Sequence, residues 1–305
     1  MKRINWSTYF VCLVFGGANL QYSNAVSSAE ITATASLVGP GTVSTDSREF
    51  ATSISPDGDA LYFNRSDVVG VWHIWVSGRG SKGWRNAKKV AFSNNRYSDM
   101  DPFVSRSGDR LYFSSDRPLP NSLKSEPTVD TNTWFAPLEG SRWGTPVFAG
   151  VGINSAADET FFSESATGQV VFARFGEGRG RERPTSIMSA QRDGVGFSNL
   201  RQVITSPASL RLSNPAISPD GKLIVATGRV GGNPQLFFSQ KRANGQWQKF
   251  RLLPGPINQT QSGQFAPYIT NDGRTLYFSS NRPAQGVGED NIYSFPLPDP
   301  IIGRH

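Results

Sequence analysis

Ile269-Thr270-Asn271-Asp272-Gly273-Arg274-Thr275-Leu276-Tyr277-Phe278-Ser279-Ser280-Asn281-Arg282 is one copy of a pattern that recurs along the chain. Ile54-Ser55-Pro56-Asp57-Gly58 leads in the same way to Leu61-Tyr62-Phe63-Asn64-Arg65, and Val104-Ser105-Arg106-Ser107-Gly108 leads to Leu111-Tyr112-Phe113-Ser114-Ser115-Asp116-Arg117. A further copy runs from Ile217-Ser218-Pro219-Asp220-Gly221 to Arg229, and a degenerate one from Ile153 to Glu159 continues into Phe161-Phe162-Ser163-Glu164. In each copy Asp-Gly supplies a tight turn, with Gly free to adopt positive φ and Asp able to bond its own backbone. The apolar triplet that follows is short and β-rich, as expected of a strand buried on both faces.

Gly58 and Gly108 are 50 residues apart, and Gly221 and Gly273 are 52 apart. That period fits one four-stranded antiparallel unit, which cannot bury its own faces and must stack on neighbours. The expected fold is therefore all-β: a propeller of five blades, with six left open because the span from Arg174 to Pro207 is long enough to hide another unit. Third strands are expected at 72–76, 132–135, 170–173, 235–238 and 291–295. Spare strand material at Ile31 to Leu37 is expected to complete the last blade, because the proline-rich tail after Phe295 makes a poor strand. Trp84, Trp143 and Trp247 follow third strands and are read as packing between blades.

The start of the chain bears on its compartment. Lys2 and Arg3 precede an apolar run from about Tyr9 to Ala18 and then small residues, as in a cleaved secretory signal. The division expected is a signal over 1–29 and a single propeller domain over 30–305, with the mature chain starting near Val26 or Glu30. This makes the protein periplasmic or secreted and not membrane-spanning. Cys12, the only cysteine, lies inside the apolar run, so the mature chain would hold neither disulfide nor thiol nucleophile.

Composition narrows the chemistry further. The two histidines, His73 and His305, are too few for a metal cluster or a recognisable histidine-based triad, and neither metal nor cofactor is expected. The net charge of +7 is scattered, and an exported protein rarely meets DNA, so no nucleic-acid partner is expected. The densest basic run, from Gly176 to Arg183, is read as a Gly-rich insertion.

The repeats resemble those of the TolB-like, WD40-like β-propeller family over most of the mature chain. That resemblance implies a cell-envelope propeller but no particular activity, since such repeats serve binding domains and enzymes alike. Propeller layout places the Asp-Gly turns at one end and the residues closing the next strand at the other. Arg65, Arg117, Glu164, Arg229 and Arg282 are thus expected on one face as candidate ligand-binding residues. Arg117 is expected to pair with Asp130, and Arg282 with Asp290. The functional reading is a non-enzymatic binding or scaffolding propeller for protein or glycan. Its rival is a carbohydrate-active enzyme, a glycoside hydrolase or polysaccharide lyase, with Asp99, Asp101, Glu164 and Glu49 as candidate catalytic carboxylates.

Overall fold

The computed structural model describes residues 33–68, 70–120, 122, 126–176, 183–204, 210–229, 232–283 and 288–302; the signal segment expected over 1–29 lies outside them. Five antiparallel sheets of four or five strands stand around a common axis. Their inner strands are Glu49–Ile54, Asp99–Val104, Asp158–Glu164, Arg211–Ile217 and Gln264–Ile269, and each touches the next around a closed ring. Second strands are Ala60–Val68, Arg110–Ser115, Gln169–Phe175, Leu223–Arg229 and Thr275–Ser280; third strands are Val71–Gly80, Asn132–Glu139, Thr185–Asp193, Gln235–Gln240 and Asn291–Pro296. The fold is a five-bladed β-propeller, and the only helix among the described residues is the single turn Asp299–Ile302.

The last blade closes as expected. Ser36–Leu37 pairs antiparallel with Asn291–Pro296, with Ser36 opposite Ser294 and Leu37 opposite Tyr293. Binding first and last blades through one sheet removes an open edge.

The third blade differs from the reading of its sequence. Residues 170–173 belong to the second strand, not the third, and the span that could have concealed a sixth blade holds the long third strand Thr185–Asp193 and the outer strand Gly196–Ile204. The turn equivalent to Ser55-Pro56-Asp57-Gly58 is Ser165-Ala166-Thr167-Gly168, where Gly168 has φ +78° and donates its N–H to Ser165 O at 3.1 Å. Without proline or aspartate in that turn, its register was hidden.

Every inner strand carries a bulge. Its non-glycine residue at positive φ is Ala51, Asp101, Phe161, Asn214 or Ala266, with φ between 50° and 56°, and ladder register shifts at each. Such a conformation costs about 1–2 kcal/mol per residue and persists where its surroundings over-determine it. Polar residues in the middle of neighbouring second strands help do so. The N–H of Asp101 donates to Asn64 Oδ1 at 2.7 Å, that of Ala51 to Ser279 Oγ at 3.2 Å, and that of Ala266 to Thr227 Oγ1 at 3.2 Å. Asn64 and Ser279, each the polar residue after a Leu-Tyr-Phe triplet, are therefore buried as connectors between blades.

Apolar packing fills the rest. Leu61, Phe63, Leu111, Phe113, Phe172, Ile224 and Phe278 are fully buried between sheets. Of the three linking tryptophans, Trp143 donates Nε1–H to Tyr62 Oη at 3.0 Å, joining the first two blades; Trp84 and Trp247 pack half-buried beneath Arg79 and Lys241. His73 is fully buried in its strand.

Candidate functional site

One face of the propeller carries the Asp-Gly turns; the opposite face, here the mouth, carries the residues that open the inner strands. Glu49, Asp99 and Glu159 open the first three, and each is fully buried and held by an arginine. Arg65 Nε lies 2.8 Å from Glu49, Arg117 Nη2 lies 2.8 Å from Asp99, and Arg174 Nε lies 2.7 Å from Glu159. The same guanidiniums also donate to backbone carbonyls of the preceding loop: Val43 O, Phe92 O and Ile153 O, all at 3.0 Å. Two of the acids hold that loop themselves. Glu49 accepts from the N–H and hydroxyl of Thr45 at 3.1 and 2.6 Å, and Glu159 from those of Ser155 at 3.0 and 2.5 Å. Burial pushes the Asp99 and Glu159 carboxyls above their ordinary values, opposed by the paired arginines. These pairs are clamps, with every oxygen engaged in construction.

The fifth blade keeps the arginine and replaces the acid with Gln264. Arg282 donates to Ile257 O at 2.7 Å and Ser280 Oγ at 3.2 Å, while Gln264 Oε1 accepts the Gln259 N–H at 3.1 Å. The expected Arg282–Asp290 pair is not formed: Asp290 takes Arg48 instead, at 2.6 Å. Arg117 likewise binds Asp99 where Asp130 was expected. In both cases the acid on the adjacent inner strand, or its loop carbonyl, lies within the arginine's reach across the ladder. Arg282→Ala is expected to lower the unfolding free energy by about 1–3 kcal/mol, through the orphaned Ile257 carbonyl and the emptied space between Phe278 and Tyr293. Chemical denaturation measures this, and an unchanged midpoint would remove the clamp.

Glu164 is not on the mouth. It ends the inner strand of the third blade beside the Ser165 turn, fully buried and paired with Arg192, and burial raises its pKa. Arg174, unselected from sequence, occupies the third blade's clamp position, which the misplaced register had assigned to Glu164. Arg65, Arg117, Arg229 and Arg282 do share the mouth.

Asp101 lies on the axis. Its carboxylate borders a channel cavity of about 20 Å³ lined by all five inner strands, including Thr52, Phe103, Phe161, Pro215 and Tyr268. Oδ1 of Asp101 and Oγ1 of Thr52 are buried there without a partner. Burial pushes the Asp101 pKa up to about 7, against the lowering effect of hydrogen bonds from the Ser114 hydroxyl and the Phe161 N–H. Such a space suits a single water.

Arg106 closes the channel at the turn face, a role missed in the sequence although the signal was visible: it stands where other turns carry Pro56, Ala166, Pro219 and Asn271. Its guanidinium donates to Glu164 O at 2.8 Å, to Ile217 O and Ile269 O at 3.2 Å, and to Asn271 Oδ1. The Phe103 and Tyr268 rings lie beneath it, and Tyr268 Oη donates to Ile54 O at 3.0 Å.

The fourth blade breaks the clamp pattern. Leu212 stands in the place of the acid, and Gly228 faces it where the first blade has Arg65. A Cβ at Gly228 would meet Phe237 at 2.6 Å and Leu210 at 2.9 Å, so apolar groups fill the space that the clamp takes elsewhere. Arg229 moves one residue outward and faces Arg211 across the ladder. Both border a mouth-face basin of about 500 Å³ between the fourth and fifth blades, which Arg48, Asn214, Asn281 and Phe265 also reach.

Similarity to known proteins can be set beside this geometry. No protein-family model matches the chain, and no curated protein matches it. Among solved structures, the GH43 endo-arabinanase from Bacillus licheniformis is 10% identical, with 84% of this chain and 96% of that one covered and a TM-score of 0.53. A gluconolactonase from Xanthomonas campestris is 11% identical over 90% and 94% of the two chains, with a TM-score of 0.50. The putative TolB from Agrobacterium tumefaciens is 16% identical over 83% and 92%, with a TM-score of 0.49. These likenesses are of fold alone. Propellers of this kind include enzymes, so the reading of function rests on the site. Among the described residues, no helix is long and apolar enough to cross a membrane, and no group of three or more His, Cys, Asp or Glu could hold a metal ion.

Proposed function

We propose that the protein is an exported, non-enzymatic binding propeller of the cell envelope that recognises glycan on its mouth face. The observation that carries this reading is the fate of the carboxylates. Glu49 and Asp99 are consumed by Arg65 and Arg117, and Glu164 is paired with Arg192 at the other end of the molecule. An oxygen without a hydrogen-bond partner remains on Asp101, in a space far too small for a sugar ring, and on Glu164, fully buried beside the turn face. Glycoside hydrolysis needs two carboxyl groups flanking the scissile bond, about 5–9.5 Å apart with room for substrate between them. A filled channel beneath an open polar basin suits recognition without turnover.

The test incubates the mature chain with envelope glycan fragments and follows both retention on the immobilised protein and the appearance of new reducing or unsaturated ends. Retention without new ends is expected. Catalytic release of ends, abolished in Asp99→Asn or Asp101→Asn, would reinstate the enzyme reading. A chain purified from envelope material with Met1 still attached would contradict export.

A further inference from the structure

Resting on that reading, we propose that the basin between the fourth and fifth blades recognises an N-acetylated amino sugar, with the acetamido group held between the side-chain amides of Asn233 and Asn281. Each of these amides has one half fixed by the fold. Asn281 Oδ1 accepts the Gly263 N–H at 2.6 Å, which leaves its Nδ2 hydrogens for the basin. Asn233 Nδ2 donates to Thr260 O at 3.3 Å, which leaves Oδ1 as the half offered to the same space. An acetamido group is the complement of that pair: its carbonyl accepts from an amide nitrogen and its N–H donates to an amide oxygen. Gly263 brings the two asparagines together. A Cβ on it would meet Pro234 Cγ at 3.0 Å and lie 3.6 Å from Asn281 Oδ1, so the missing side chain lets the Asn233-Pro234 segment close on Asn281. The Gln264 N–H donates to Pro234 O at 2.8 Å and pins that segment to the inner strand of the fifth blade.

The second blade shows which half of Asn281 belongs to construction. There Asp116 stands in the equivalent place, one residue beyond Ser115, which pairs with Asp99 as Ser280 pairs with Gln264. Asp116 Oδ1 accepts the Ser98 N–H at 2.9 Å, just as Asn281 Oδ1 accepts the Gly263 N–H. An acceptor alone therefore satisfies the blade, and the amide nitrogen of Asn281 is surplus to it.

The rest of the lining selects a sugar over a peptide, which carries the same secondary amide. Phe265 presents a half-buried ring to the basin, backed by Phe50 at 6.4 Å, whose own ring meets Trp72 edge-on at 4.8 Å. Such a stack is a firm apolar surface for the C–H face of a pyranose. Ser213 and Asn214 add a hydroxyl and a further amide from the fourth blade, groups that both donate and accept, as vicinal sugar hydroxyls require. About 500 Å³ falls in the range of small-ligand sites and accommodates a short oligosaccharide.

Isothermal titration of the mature chain with triacetylchitotriose tests the assignment. Cellotriose, with the same rings and linkage but hydroxyls in place of acetamido groups, and acetyl-trialanine amide, with the amides but no ring, are the comparison ligands. Saturable binding of triacetylchitotriose is expected, with both comparison ligands at least about fivefold weaker, the worth of one well-made hydrogen bond. Asn281→Asp and Asn233→Ala are each expected to weaken triacetylchitotriose by a similar factor. Both variants should melt with the wild type, the first because aspartate already does this work in the second blade, the second because Asn233 is exposed. Cellotriose or the peptide bound as tightly, or an affinity unchanged in both variants, would overturn the proposal. Retention of envelope glycans without affinity for triacetylchitotriose would also overturn it, while sustaining the binding reading. Should either variant unfold, the preference of the wild-type chain for triacetylchitotriose over cellotriose decides alone. Triacetylchitotriose bound with that preference and then cleaved would sustain the site and overturn the non-enzymatic reading.

Discussion

Arg106→Ala is expected to lower the unfolding free energy by about 3 kcal/mol, placing it among the costliest single substitutions in the molecule. The wild-type guanidinium ties together the third, fourth and fifth blades by donating to the carbonyls that end their inner strands, Glu164 O, Ile217 O and Ile269 O. Truncation leaves three acceptors facing a new cavity over Phe103 and Tyr268, and a buried acceptor without a partner costs about 1–3 kcal/mol. Water entering from the turn face recovers part of that loss, which keeps the figure below the sum. Arg106→Lys should restore only a fraction, because a point ammonium cannot reach carbonyls on three blades with the geometry of a fork. Urea unfolding monitored by tryptophan fluorescence reports the change. A midpoint within about 0.5 kcal/mol of wild type, the range of ordinary surface substitutions, would mean that the ring of inner strands closes without its plug.

Asp101→Asn is expected to stabilise the protein at alkaline pH and leave it unchanged in acid. The folded-state pKa is about 7 because burial opposes the charge, whereas an unfolded aspartate titrates near 3.9. Between those values the folded state holds a proton that the unfolded state has released, so stability falls as pH rises from about 4 to about 7 and then levels off. A separation of about three pH units corresponds to roughly 4 kcal/mol at the plateau. Asparagine carries no charge at any of these pH values, keeps a comparable shape, and tolerates the φ of +55° that this bulge imposes. The difference between wild-type and variant unfolding free energies should therefore be near zero at pH 4 and several kcal/mol in favour of Asp101→Asn at pH 8. Taking the difference cancels the titration of Asp99, Glu159 and Glu164, which burial also raises. Parallel profiles across that range would show that Asp101 is solvated or paired in solution.

The repeat made the architecture legible because its turn and its buried triplet are both local signals. Four copies kept Gly at the turn and apolar residues at the next strand, and closure by residues near Leu37 followed from the shortage of strand at the other end. The third blade was misread for an equally local reason: Ser165-Ala166-Thr167-Gly168 keeps only the glycine, and the acidic segment before it offered a false alignment. That slip moved Glu164 to the wrong face and concealed Glu159 and Arg174 as the blade's clamp. The arginines of the mouth were recognised, but not their partners, because register across a ladder decides which acid each meets and the nearest acid in sequence does not. Asp101 was selected as one of two acids at a strand entry. Its separation from Asp99 is set by the bulge, which turns one carboxylate to Arg117 and the other to the axis, a property of φ invisible in residue type. The loss of the clamp from the fourth blade could have been noticed from Leu212 and Gly228, had the correct pairing been available.

Recognition on the mouth face without turnover is tested by a crystal structure of the wild-type mature chain soaked with an envelope glycan fragment that the immobilised protein retains. An intact saccharide on the mouth face is expected, with the axial channel still closed by Arg106. A shortened saccharide, or an intact one seated on the turn face or against the Asp101 carboxylate, would contradict it.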